Sequence, residues 1–195
     1  MVHQDCKMID IGSHKGEKGL NRLLEETNKI LLKKERAIIA IAGLPGVGKT
    51  RMVKSFVRLG FGNFRRKDIL AIDDNIIYST KFWKLKWEKI SIEKKSCKEF
   101  INSINFKILF FSNWIPSRYI DFADILIKLE AKEQERIARL EKRYRKNPMK
   151  VLIQKMKTTL PIEAPFECRR LMVLSDYNNE MRNWNISWML RRLFV

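Results

Sequence analysis

Along the chain the spacing of apolar residues changes several times, and each change marks an element. Leu20, Leu23, Leu24, Thr27, Ile30 and Leu31 recur at three and four positions, the stripe of an amphipathic helix that ends near LLKKER. Next comes AIIAIAG, residues 37–43, an almost unbroken apolar run with β-branched residues, closed by glycine. Such a run predicts a parallel strand buried on both faces. After a glycine-rich octapeptide, Met52, Val53, Phe56, Val57 and Leu59 predict a second helix with one face toward a core, capped at Gly60.

Four further strands are expected at residues 68–74 (DILAIDD), 106–113 (FKILFFSN), 124–131 (DILIKLEA) and 169–176 (RRLMVLSD). The aromatic, lysine-rich stretch from Tyr78 to Lys98 reads as helix and loop. KEQERIARLEKRYRKNP predicts a helix stopped by Pro148, and NEMRNWNISWMLRRLF a terminal helix. Residues 1–18 are polar and lack periodicity, so they read as a mobile arm. Strands alternating with helices predict an α/β three-layer sandwich around a mostly parallel, five-stranded sheet. The arm and first helix (1–36) precede a single domain (37–195).

Composition adds charge to this picture. The 195 residues carry 40 Lys and Arg against 22 Asp and Glu, a net charge of +18, which selects polyanionic or phosphate-bearing partners. Three cysteines, Cys6, Cys97 and Cys168, are too few for a disulfide framework, and none has metal-ligand spacing with a histidine. MVHQDCKMID has no apolar core of a signal peptide and nowhere do 18 apolar residues run together, so a cytoplasmic protein without a membrane span is expected.

The chemistry concentrates in Gly43, Leu44, Pro45, Gly46, Val47, Gly48, Lys49 and Thr50, followed by Arg51, which fit GxxxxGK[ST] without a departure. Glycines let backbone N–H groups curl round phosphates that side chains would obstruct, and the following helix adds its positive end. Lys49 would then reach the β- and γ-phosphates of a nucleotide, and the Thr50 hydroxyl would hold Mg²⁺. Neither DxxG nor NKxD is present, which sets GTPases aside.

Asp73 and Asp74 end the second strand, at the edge where side chains of an α/β sheet meet ligands. A carboxylate there can organise Mg²⁺ or take the proton of an attacking hydroxyl; the same Asp-Asp-Asn sequence also suits a turn. Arg136, Arg139 and Arg143, at spacings of three and four, share a helix face, with Glu133, Glu135 and Glu141 beside them. Guanidinium groups so gathered can close over a phosphoryl group in transfer.

Together, GLPGVGKT, ILAIDDN one helix later, and ADILIKLEA followed at once by ERIARLEKRYRKNP resemble the small P-loop kinases that phosphorylate nucleosides, nucleotides, shikimate-like metabolites or polynucleotide 5′ ends. The resemblance spans roughly residues 37 to 180 and implies a P-loop NTPase fold with an Arg-rich helical lid. It implies ATP and Mg²⁺ as cofactors, held by Gly43 to Arg51, with Asp73 as base or magnesium organiser. Asp74 would hold the acceptor or share Asp73's role, Arg136, Arg139 and Arg143 would be lid residues, and residues 176–179 would lie near the adenine. A monomer or homodimer is expected.

The chain departs from that pattern at Ser112-Asn113-Trp114, where many such kinases carry an acidic or glycine-rich acceptor segment. A rival resemblance is to ATPases of the AAA+ or superfamily 3 helicase type. ILAIDD would then be the Walker B strand, Asn113 the sensor at the end of KILFFSN, and Arg118 or a later arginine a finger into a neighbouring subunit. A third reading is a nucleotide-dependent nucleic-acid-binding module, in which Phe82, Trp83 and Trp87 of FWKLKWEK stack bases; packing in the core or lid is the alternative for these rings.

Overall fold

Ala37–Ala42 is an interior strand with a parallel partner on each side, which its unbroken apolar sequence requires. The structure is a computed structural model, described here for residues 9–81, 84–89, 94–156 and 167–175. In chain order the elements are β1 (Ile9–Lys15), α1 (Gly16–Leu31), β2 (Ala37–Ala42), α2 (Lys49–Leu59), β3 (Ile69–Asp73), β4 (Ile76–Lys81), β5 (Lys84–Lys89), α3 (Lys94–Ser103), β6 (Ile108–Ser112), β7 (Phe122–Leu129), α4 (Glu133–Arg143), α5 (Pro148–Lys155) and β8 (Glu167–Ser175). They form an α/β fold with a mixed, largely parallel eight-stranded sheet in the order β1-β8-β7-β2-β6-β3-β4-β5, flanked by five helices among the described residues. The run from β1 to β3 is parallel, and only β3-β4 and β4-β5 are antiparallel.

Each face of the sheet has its own core. Ile39, Ile41, Ala71 and Phe110 face α1 and α2, meeting Leu20, Leu23, Met52, Val53 and Phe56. Ala40, Leu70, Ile72, Leu109 and Phe111 face the other way, toward Cys97 and Ile101 of α3. The rings of Phe56, Phe61 and Phe110 meet at centroid distances of 4.7 to 5.4 Å. All three are fully buried, each contributing about 1.5–3 kcal/mol. They pin α2 to the sheet, and with it the loop before α2. The helix stops as expected at Gly60, whose N–H donates to the Phe56 carbonyl (2.8 Å).

The five strands expected from sequence are present as β2, β3, β6, β7 and β8, and three more extend the sheet. β1 lies within residues 1–18, expected as a mobile arm; it pairs with β8 on one side only, and an edge strand of that kind tolerates IDIGSHK. Tyr78 to Lys98, expected as helix and loop, instead holds most of the β4-β5 hairpin before α3 begins at Lys94. Its cause is local: Asp74 takes a left-handed φ of 53°, and Asp73 pairs with Ile76, so Asp74 and Asn75 close a two-residue turn. Pro148 does not stop α4, which ends at Arg143; it opens α5, where Asn147 caps the helix by accepting from the Lys150 N–H (3.0 Å).

The expected terminal helix and residues 176–179 lie outside the described residues, as do Phe82, Trp83 and Cys6. Cys97 and Cys168 are buried and unbridged, and burial pushes the Cys97 thiol up to about 11. No helix among the described residues is long and apolar enough to cross a membrane.

Candidate functional site

Because β2, β3, β6 and β7 run parallel, their C-terminal ends converge on one edge, and the residues singled out by sequence end there or start just beyond. Gly43 to Gly48 leave β2 and turn into α2. Gly46 and Gly48 have φ of 92° and 111°, conformations that side chains rarely adopt. A Cβ at Gly46 would also lie 2.9 Å from the Arg136 carbonyl, and one at Gly43 2.8 Å from the Leu129 carbonyl. The octapeptide therefore needs its glycines for shape and for close approach of β7 and α4.

At the start of α2 no acidic residue opposes the positive end of the helix. The Lys49 ammonium donates to the carbonyls of Gly43 (2.5 Å) and Leu44 (3.3 Å), which holds it within the arc of the loop. Thr50 is half-buried in the first turn and Arg51 is exposed. A left-handed loop, a helix N-terminus and a lysine inside the arc together can cradle a chain of phosphates.

The second group comes from β3 and β6. Asp73 and Ser112 are register partners, and Ser112 is also the partner of Ile41 in β2, so the three share one row and one sheet face. That face is the α2 side, since Ala71, Ile41 and Phe110 point there. Asp73 is 7% exposed, and its Oδ1 accepts from the Ser112 hydroxyl (2.8 Å). Among the described residues Ser112 is that carboxylate's one hydrogen-bond partner, leaving Oδ2 able to accept a proton. Two strand spacings, about 10 Å, separate the Asp73 and Ile41 backbones. Asp74 is exposed; its Oδ1 accepts from the Asn113 amide (2.9 Å), while Asn113 Oδ1 accepts from the Ile115 N–H (2.8 Å). Asn113 thus splints the turn after β3 to the loop after β6. Arg118 is exposed in the 3₁₀ turn Pro116–Arg118 beyond it.

The three arginines of α4 separate. Arg136 is 1% exposed, and its guanidinium forms a bidentate pair with Glu133 (2.6 Å to each oxygen) while Nη1 donates to the Pro45 carbonyl (3.1 Å). Further contacts reach the carbonyls of Gln154 and Lys155. The Arg136 hydrogen bond holds the Glu133 carboxyl below its usual range. Arg139 bonds Glu135 (2.5 Å) and the carbonyls of Val47 (3.2 Å) and Gly46 (3.5 Å). Both side chains grip the carbonyl side of the glycine loop, the reverse of the side a phosphate uses. A free arginine lid was expected here; instead Arg136 is a fixed brace, because burial requires every one of its donors to find an acceptor. Arg143 is exposed in the last turn, its guanidinium 6.0 Å from the Tyr144 ring centroid.

Ser112, Glu133 and Glu135 carried no assigned role in the sequence, yet Ser112 bonds Asp73 and the two glutamates hold Arg136 and Arg139. The signals were present: Glu133–Arg136 and Glu135–Arg139 stand at i,i+3 and i,i+4, and Ser112 ends a strand otherwise wholly apolar. Compared with known proteins, the chain matches no family model, and a search of curated proteins finds no match either.

Proposed function

We propose that the protein is an ATP-dependent phosphotransferase on a P-loop NTPase fold, moving the γ-phosphoryl group of ATP·Mg²⁺ to a hydroxyl or phosphate acceptor. One observation carries this reading: Asp73 stands on the same sheet face as the glycine loop but two strands away, with the small Ser112 between. A gap of about 10 Å leaves room for a phosphoryl group and an acceptor oxygen in line between donor and base.

The backbone N–H groups of the glycine loop, Pro45 having none to offer, and the Lys49 ammonium bind the triphosphate, which draws Lys49 off its carbonyl partners. Thr50 and Asp73 would hold Mg²⁺ or its water, and the ion when bound would supply neutralisation of charge on the transferring group. The acceptor oxygen attacks the γ-phosphorus, a new O–P bond forms as the β–γ bridging O–P bond breaks, the acceptor proton passes to Asp73 Oδ2, and ADP leaves. Asp74 positions the acceptor. Arg136 keeps the loop's shape, and the closing role of the α4 arginines falls to Arg143 with the exposed part of Arg139.

Asn113 favours a second reading, an ATPase, because it is a polar residue beside the P-loop strand. Its carboxamide, though, already holds Asp74 and the Ile115 N–H, a scaffold's task rather than a γ-phosphate sensor's. Incubation with γ-labelled ATP and a panel of nucleosides, nucleoside monophosphates, 5′-hydroxyl oligonucleotides and sugar metabolites separates the readings. Label on an acceptor supports transfer, whereas label released only as inorganic phosphate at an acceptor-independent rate would refute it.

A further inference from the structure

The sheet face that carries Asp73 continues outward across the hairpin. Asp73 pairs with Ile76 and Ile76 with Lys89; one row along, Ala71 pairs with Tyr78 and Tyr78 with Trp87. Partners in an antiparallel ladder point the same way, so Lys89 and Trp87 lie on the α2 side of the sheet with Asp73. Lys89 stands two strand spacings, about 10 Å, from Asp73, and Trp87 two residues further along β5. Trp87 is 69% exposed, the largest side chain among the exposed apolar residues described.

Cations from α2 border the same surface. Arg51, Lys54 and Arg58 are three, four and seven apart and share one helix face. Lys54 places that face against the hairpin, with Nζ 4.7 Å from the Tyr78 ring centroid, and the Thr80 hydroxyl ties hairpin to helix through the Val57 carbonyl (2.7 Å). Arg51 sits at the N-terminus of α2, beside the glycine loop. An open indole thus shares the α2 side of the sheet with Lys89, next to the helix that carries Lys54 and Arg58, on a surface that starts at the proposed base.

We infer that this surface binds a single-stranded polynucleotide as the acceptor strand, with a base stacked on Trp87 and backbone phosphates on Lys54, Arg58 and Lys89. The inference rests on the phosphotransferase reading for what happens to the strand's end, not for the binding itself. A +18 chain supplies the long-range attraction, and the exposed ring supplies what a purely electrostatic surface lacks, a face for a base. The lysines of β5 also discourage edge-to-edge pairing of the sheet, but that purpose does not require an open tryptophan beside them.

The test is anisotropy of a fluorescent oligonucleotide, as single-stranded DNA, single-stranded RNA and duplex, against the full chain and its Trp87→Ala, Trp87→Phe and Arg58→Glu variants. Expected are tighter binding of either single strand than of duplex, about 5- to 100-fold weaker binding by Trp87→Ala, and near-recovery by Trp87→Phe. Arg58→Glu should weaken binding and flatten its salt dependence. Unchanged affinity in Trp87→Ala, or equal competition by inorganic polyphosphate, which has no bases, would overturn the inference. The two proposals fail separately: a strand bound through Trp87 while no acceptor of the panel takes label refutes the transferase and leaves the binding surface standing, whereas a labelled nucleoside with no strand binding does the reverse; a strand that binds but stays unlabelled while another acceptor takes label overturns its role as acceptor.

Discussion

Asp73 and Asp124 are both buried carboxylates of the same sheet, and their partners separate their roles. At the opposite end of the strands, Asp124 has both oxygens engaged, by the Lys34 ammonium (2.6 Å) and the Ile38 N–H (2.9 Å). It fastens the entry into β2 and has nothing left to offer a ligand. Asp124→Ala should therefore cost about 2–4 kcal/mol in urea denaturation and leave the proposed phosphoryl transfer by the folded protein within about twofold of wild type. Lys49→Ala should do the opposite, keeping the urea midpoint while lowering transfer by about 10²-fold or more. The brace predicts a third pattern. Arg136→Met removes the partner of three backbone carbonyls, so it should lower stability by about 2–4 kcal/mol and weaken ATP binding through the loop it supports, measurable by calorimetry on the folded protein.

Among elements, α1 shows how a helix on the sheet's outer portion is held. Its Glu26 is 3% exposed and bonded by Lys29 (2.8 Å), with Arg22 (3.1 Å) and Arg170 of β8 (3.2 Å) around it. Burial acts to raise its carboxyl, but the Lys29 hydrogen bond and the three positive charges prevail and hold it below the ordinary 4.5. A carboxyl lowered on folding adds stability above its unfolded pKa and loses it as pH falls through the folded one. Glu26→Gln should accordingly be less stable than wild type at pH 7, and the gap in midpoint should close as pH drops below 4.5.

Elements also show what the sequence made legible. AIIAIA, ILAID and ILFFS are strands covered on both faces, and unbroken apolar runs announce that state directly. The hairpin was hidden because Ile76, Ile77 and Tyr78 are apolar on both faces and blur a period of two, although KLKWEK alternates. β1 was hidden because an outermost strand needs little apolar surface. At the site, the glycine loop was readable because its geometry demands particular residues in consecutive positions. The direction of the α4 arginines was not, since a cation at helical spacing looks the same whether it faces a phosphate or a carbonyl.

Across the whole molecule, the two surfaces proposed to bind ligands lie on one side of the sheet: a glycine loop with its helix, and a tryptophan-bearing hairpin against which that helix packs. Arg51, Lys54 and Arg58 belong to the helix that follows the glycine loop, so the proposed donor and acceptor surfaces would share a support held by Phe56, Phe61 and Phe110. On the proposed surface the excess of positive charge, far beyond what one triphosphate needs, would have a use. Raising salt from low to physiological levels should then weaken oligonucleotide binding steeply while altering ATP binding far less.

The proposed base, Asp73, shares a sheet face with the glycine loop across Ser112, and single-turnover transfer from γ-labelled ATP by Asp73→Asn tests its role directly, with ATP affinity measured on the same preparation. Loss of the proton acceptor should slow transfer to the acceptor by about 10²- to 10⁴-fold with ATP affinity within about threefold of wild type. Transfer at the wild-type rate in Asp73→Asn would contradict it.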